Sequence, residues 1–306
     1  MTAYIGIDKG GTRHTLALAD GAGTVMDRRQ YAAARAAGAQ AEIAQLRAAL
    51  TELFAVAAAR GLEVAGIGVS FGGPVDPASG EVLMSHHVAG WEHLPLARVL
   101  AEGFGVPAWL ENDANVGALG EWRFGAGRGC QDLFYINVGT GIGGGVIANG
   151  RLVHGVMNLA GEIGHMTVQP GGPLCTCGRH GCLESLASGS AIERQYRERS
   201  GTARSGREIL ALAAAGDPVA RETVSATADW LALGIGAAVS LFSPELVVVG
   251  GGLGEAGPVL FEPLRRRLPD YVIPQRREVR VVPAALGYDA GVRGAIALAM
   301  DHTAAP

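Results

Sequence analysis

Apolar and polar positions along this chain follow two alternating rhythms. Short apolar runs, YIGID at 4–8, which ends in an acid, and LEVAGIGVS at 62–70, predict buried strands. After Asp8, the segment GGTRHTLALADGAGTV predicts a turn, a returning strand over 14–19, a turn at Asp20–Gly23 and a third strand. Residues 32–60 are alanine-rich, with Ile43, Leu46, Leu50, Leu53 and Phe54 at helical spacing, and predict an amphipathic helix over the first sheet. VPAWL at 106–110 is a further strand that leads into a helix over 114–123. The stretch 131–155 then repeats the plan of 4–26: strand, glycine-rich turn, strand, a turn at Asn149–Gly150, and a third strand. Helical segments dominate from residue 188 on, interrupted by strands at ELVVVGGGLG (245–254) and REVRVVPAAL, and DAGVRGAIALAM (289–300) predicts a closing helix. The alternation of strands and helices implies the α/β class.

Composition narrows this only slightly. At 306 residues the chain holds two modest domains, and 48% hydrophobic with 18% charged residues is globular. A net charge of −4 offers no general basic field for nucleic acid or an anionic membrane. No signal-like segment opens the chain, and the apolar run at 231–242 is short and broken by glycine. The expectation is a soluble, cytoplasmic protein. Of 25 basic residues only Lys9 is lysine.

Candidate chemistry is concentrated at a few points. Asp8, Lys9, Gly10, Gly11, Thr12 and Arg13 form a D-x-G-G-T turn that reads either as a plain hairpin turn or as backbone N–H groups and a hydroxyl around a phosphate. GTGIGGG, with Gly139, Thr140 and Gly141, is richer in glycine than a hairpin needs. In ENDAN (111–115) the strand gives way to a helix at Asn112–Asp113, where Asp113 reads as an N-cap and as a carboxylate whose ionised form the helix favours. The loop FGGPVDPASG contains Gly73 and reads as tight turns or as backbone brought close to a ligand. His86, His87 and His93 read as surface or pocket-edge histidines rather than metal ligands. Cys175, Cys177 and Cys182 cluster while Cys130 stands alone. With His165 they give H-x9-C-x-C-x4-C, a Cys₃His set that suits tetrahedral structural Zn²⁺ with no open ligand position.

Together ENDAN, NVGTGIGGGV, GEIGH and CTCGRHGCLE resemble the signature of the ROK family, the bacterial sugar kinases and sugar-responsive repressors. The resemblance implies the actin-like ATPase (ribonuclease H-like) fold: two related α/β domains, residues 1–113 with 290–306 and residues 114–289, and an interdomain active-site cleft. It implies an ATP-dependent hexose kinase, with Asp113 as the base that takes the proton of the sugar's 6-hydroxyl. Asn112, Glu162, His165, Glu184 and the loop at Gly73 would face the sugar. Asp8 would hold Mg²⁺ through water, the two glycine turns would contact the phosphates, and Gly250, Gly251 and Gly252 would lie on the adenosine side. Lys9, where relatives carry an apolar residue, would pair with Asp8 or a nucleotide phosphate. Glucose leads as substrate, with N-acetylmannosamine, N-acetylglucosamine, fructose or allose as alternatives and polyphosphate as another donor. A non-catalytic sugar sensor is the reading from another class. The resemblance further implies a homodimer or dimer of dimers, with neither nucleic acid nor membrane as partner.

Overall fold

The computed structural model describes residues 1–85 and 88–304, so His86 and His87 lie outside the described residues. The chain forms two compact units, Met1–Phe124 with His154–Leu159 and Tyr288–Pro306, and Gly125–Val153 with Ala160–Gly287.

In the first unit β1 (Thr2–Lys9), β2 (Arg13–Asp20) and β3 (Val25–Ala32) form an antiparallel meander, followed by helix α1 (Gly38–Ala59). Strand β4 (Glu63–Phe71) returns parallel to β1. A small hairpin, β5 (Val75–Asp76) and β6 (Glu81–Val82), and helix α2 (Leu96–Phe104) lead to β7 (Ala108–Asn112), which is parallel to β4 and runs directly into α3 (Asp113–Phe124). The sheet order is β3-β2-β1-β4-β7.

The two-residue period of β1 separates the faces of this sheet. Ala3, Ile5 and Ile7 pack in a core with Leu46, Leu50 and Leu53 of α1, all fully buried, and each leucine contributes roughly 2 kcal/mol. On the other face a Cβ at Gly6 would meet Ile296 of the C-terminal helix (Ala290–Ala304) at 2.7 Å, so glycine is what admits that helix. Helix α3 packs on the same C-terminal helix. The boundary expected after residue 113 therefore falls after Phe124, and the segment His154–Leu159 also belongs to this unit.

The second unit repeats the plan. Strands β8 (Leu133–Val138), β9 (Ile142–Ala148) and β10 (Arg151–Leu152) form its meander. Helices α4 (Leu183–Ala187), α5 (Gly189–Ser200), α6 (Gly206–Ala215) and α7 (Pro218–Phe242) follow. Then come β11 (Leu246–Gly250), α8 (Gly251–Gly254), α9 (Pro258–Arg267) and β12 (Arg280–Pro283), giving the order β10-β9-β8-β11-β12. The repeated order shows that the likeness between 4–26 and 131–155 extends to the whole sheets. Ser188 caps α5, a Ser205–Glu208 capping box starts α6, and Asp217 with Pro218 starts α7.

Helix α7 contains the apolar run at 231–242 and, at 25 residues, meets the length and hydropathy of a membrane span. Val224, Ala228, Leu231, Ile235 and Val239 are nevertheless buried in the unit's core, the environment that selects such a composition in a central helix.

Candidate active site

Two rows of residues cross the carboxyl ends of the parallel strands β1, β4 and β7, where open α/β sheets bind ligands. Asp8, Ser70 and Glu111 are in register, as are Lys9, Phe71 and Asn112. Asp113 follows as the first residue of α3. A Cβ at Gly72 would lie 3.6 Å from Asp113 Oδ2, which places the glycine loop after β4 beside that carboxylate. Gly73 holds φ at 148°, backbone that favours glycine.

Asn112 is the residue that caps α3, a role expected of Asp113. Its Oδ1 accepts from the N–H groups of Ala114 (2.9 Å) and Asn115 (3.4 Å), and its Nδ2 donates to Gly73 O at 3.2 Å. Asn112 thus joins the helix start to the glycine loop. Asp113 accepts from Ala114 N at 3.0 Å.

Asp8 has its carboxyl pushed up to about 7, first by burial and then by the negative charge of Asp113, with Ser70, Arg13 and Arg28 pulling weakly the other way. Two converging carboxylates that resist joint ionisation form a donor set that suits a hard divalent cation, so Mg²⁺ fits here.

Sequence reasoning missed a network around Glu111, which is fully buried. Burial alone would raise its carboxyl, but hydrogen bonds from His154, Asn115, Asn158 and the Asn112 N–H hold it below the ordinary range. The contacts are His154 Nε2 to Oε2 at 2.7 Å, with Asn158 Nδ2 at 2.8 Å and Asn115 Nδ2 at 3.1 Å from Oε1. His154 is raised, chiefly by its hydrogen bond to Glu111. The available signal was the run of polar residues ENDAN itself, at the end of an apolar strand; His154 and Asn158 come from a distant segment.

Lys9 is not where it was expected. It follows Asp8 in a strand and so points to the opposite face, into the α1 core. Its Nζ lies 3.1 Å from Glu42 Oε2 of α1 and 4.8 Å from the ring centroids of both Phe71 and Trp91. Trp91 Nε1 donates to the same Glu42 oxygen at 2.9 Å, and His14 Nε2 lies 3.5 Å from Oε1. Burial holds His14 below its ordinary value despite the neighbouring Glu42. The partner of the sole lysine is a buried carboxylate, in place of Asp8 or a nucleotide phosphate.

At the turn between β8 and β9, Gly189 N–H donates to Gly139 O at 2.7 Å, and Ser190 Oγ donates to Thr140 O at 3.0 Å. The N-terminus of α5 thus draws the turn's carbonyls to one side. Gly251, with φ at 75°, lies so close to Val138 O that a Cβ would come within 2.5 Å, whereas a Cβ at Gly252 would meet nothing within 4 Å.

His165, Cys175, Cys177 and Cys182 converge, with all four ligand atoms within 4.8 Å of one another. Cys177 Sγ and Cys182 Sγ are 3.7 Å apart, and Cys175 Sγ is 3.6 Å from His165 Nδ1. Tetrahedral Zn–S bonds of ~2.3 Å place sulfurs ~3.8 Å apart, so the cluster fits structural zinc through Nδ1 and three thiolates. His165 Nε2 lies 3.9 Å from Glu162 Oε2, a carboxylate placed to orient the ligand ring. Glu162 is raised, mainly by burial, with Glu184 adding and His165 opposing.

Comparison with known proteins agrees with this geometry. The ROK family model matches residues 4–302. A glucokinase of Thermotoga maritima is 34% identical over 97% of this chain and 97% of its own. Two crystal structures are each 34% identical: a ROK hexokinase from Thermus thermophilus, TM-score 0.86 over 96% of this chain and 97% of that one, and a ROK family glucokinase from Streptomyces griseus in complex with glucose and AMPPNP, TM-score 0.83 over 98% and 99%. With the repeated sheets, the carboxylates at the strand ends and the Cys₃His cluster, these matches show that the chain belongs to the ROK family and has its actin-like ATPase fold.

Proposed function

We propose that the protein is an ATP-dependent hexose kinase that phosphorylates the 6-hydroxyl of glucose. The observation that carries this reading is the position of Asp113: first residue of α3, beside the Gly72–Gly73 loop, next to Asn112 and close enough to Asp8 to perturb it. The glucokinase relative and the neighbour solved with glucose and AMPPNP support both substrates.

Asp113 accepts the proton as the sugar oxygen attacks the γ-phosphorus; the new P–O bond forms while the bond to the bridging oxygen breaks and ADP leaves. Gly10, Gly11, Thr12 and Arg13, and likewise Gly139, Thr140 and Gly141, engage the phosphates, while Gly250–Gly252 meet the adenosine. Asn112, Gly73, Glu162, His165 and Glu184 hold the sugar. Asp8 would hold Mg²⁺ through water, and the bound ion would supply positive charge against the phosphates. The closed Cys₃His site supplies rigidity rather than chemistry. The reading also makes the protein a cytoplasmic homodimer or dimer of dimers, with neither nucleic acid nor membrane as partner, which light scattering tests for assembly.

The test is a coupled ADP-release assay with Mg-ATP and a hexose panel, run beside Asp113→Ala. Glucose turnover that falls by about 10²–10⁴ in the variant supports the reading. Turnover confined to an amino sugar or ketose corrects the substrate, and no turnover with any hexose refutes the kinase.

A further inference from the structure

Glu184 is expected at the sugar, yet both of its oxygens are engaged elsewhere. Oε2 accepts from the backbone N–H of Ile142, the first residue of β9, at 3.0 Å. Oε1 accepts from Thr176 Oγ1 at 2.8 Å, and Thr176 stands between the metal ligands Cys175 and Cys177. Glu184 itself is two residues past Cys182, the last ligand. One carboxylate therefore spans from the Cys₃His loop to the end of the glycine turn.

The turn is built to receive it. A Cβ on Gly141 would lie 2.5 Å from Glu184 Oε2, so this glycine is the space the carboxylate occupies. The opposite edge is held by α5, where Gly189 and Ser190 take the carbonyls of Gly139 and Thr140. Gly139 N–H is spent on Gly141 O at 3.0 Å and Ile142 N–H on Glu184. Among the described residues this leaves the N–H groups of Thr140 and Gly141 without a backbone or side-chain acceptor, on a turn whose carbonyls are turned away. Such a pair of donors forms an anion-binding concavity.

We infer that Glu184 is a positioning residue for the nucleotide: by clamping Ile142 N–H and Thr176 Oγ to one carboxylate, it makes the phosphate-binding shape of the 139–142 turn depend on the folded Cys₃His loop. This rests on the kinase reading and adds to it a link from the cysteine loop to phosphate affinity. The clamp needs an acceptor for Ile142 N–H and a hydrogen-bond partner for the Thr176 hydroxyl, not a charge. A negative charge beside this turn opposes phosphate binding, so a neutral side chain of the same shape keeps the clamp without the repulsion. In Glu184→Gln the carbonyl accepts from Ile142 N–H, and the amide donates to Thr176 Oγ, which accepts equally well.

The experiment is calorimetric titration of MgADP into the zinc-loaded protein without sugar, comparing wild type, Glu184→Ala, Glu184→Gln and Thr176→Val. Zinc content and melting temperature report that each variant is folded. Losing a hydrogen bond to a charged group is expected to weaken MgADP about tenfold in Glu184→Ala and severalfold in Thr176→Val. Glu184→Gln should bind MgADP as tightly as wild type or tighter, while its KM for glucose rises. If zinc-replete Glu184→Ala binds MgADP like wild type and only its glucose KM changes, the clamp is refuted and Glu184 is a sugar contact alone. If Glu184→Gln loses MgADP affinity as Ala does, the acceptor argument is refuted as well. A wild-type protein that neither binds MgADP nor turns over glucose refutes the kinase reading itself, an outcome distinct from both.

Discussion

Replacing Lys9 with methionine removes the cation that lies 3.1 Å from the buried Glu42 carboxylate while keeping an apolar stem beside Phe71 and Trp91. Glu42 is fully buried, and among the described residues its Oε2 then keeps the indole N–H of Trp91, while its Oε1 faces His14, whose protonated form burial disfavours. Removing one partner of a buried ion pair costs about 3–5 kcal/mol, because the remaining charge is neither solvated nor paired. In a unit of this size each kcal/mol moves the midpoint by about 2–4 °C, so Lys9→Met should lower the first unit's melting temperature by on the order of 10 °C. Lys9→Met/Glu42→Gln removes both charges and keeps an acceptor for Trp91, and should recover most of the loss. Lys9→Arg should not, since a planar fork is wider than the space an ammonium occupies between two rings. Calorimetric scans of wild type, Lys9→Met, Glu42→Gln and the double variant close a double-mutant cycle. A Lys9→Met protein that melts within about 1 °C of wild type, or a double variant no more stable than the single, would refute the argument that the pair is a structural peg.

Other expectations follow from the same geometry. His154 is raised by Glu111, so its contribution to stability is complete below pH 6.5 and is lost as pH rises through the raised value. Glu111 is held low, so its contribution is present above 4.5 and is lost as pH falls through the lowered value. The stability gap between wild type and His154→Ala should therefore be widest at pH 5–6 and narrow in alkaline buffer, as read by urea titrations across pH; a gap that widens with alkalinity would contradict the pairing. Cys177→Ser should cut zinc content well below one ion per chain and lower the melting temperature of the second unit, as read by elemental analysis and calorimetry; full zinc retention would show that Cys177 is not a ligand. Gly141→Ala should weaken MgADP binding about tenfold by displacing the Glu184 carboxylate; unchanged affinity would mean that the turn yields freely.

Much of the protein could be read along the chain because the signals are local. Short apolar runs marked β1, β4, β8 and β11, and the spacing of Ile43, Leu46, Leu50 and Leu53 marked α1. The Cys₃His cluster was legible because its four residues lie within eighteen residues and thiolates at that spacing have few uses besides binding a metal. The plan of the second sheet was visible as a repeat of the first. The errors fall where a partner is remote in sequence. The cap of α3 passed from Asp113 to Asn112 because the helix begins at Asp113, one residue before its expected start, so the residue preceding it reaches the free N–H groups. The 114–289 boundary moved because α3 packs on a helix some 170 residues later.

Sequence alone determined the element types, the glycine turns, the Asp113 position and the Cys₃His set, all consequences of backbone geometry and ligand chemistry acting over a few residues. Tertiary structure decided the partners: Lys9 with Glu42, Glu111 with His154, and Glu184 with Ile142 and Thr176. A side chain's residue type states what it can bond. Only packing, which brings distant segments within about 3 Å and removes the competing water, selects the partner it takes.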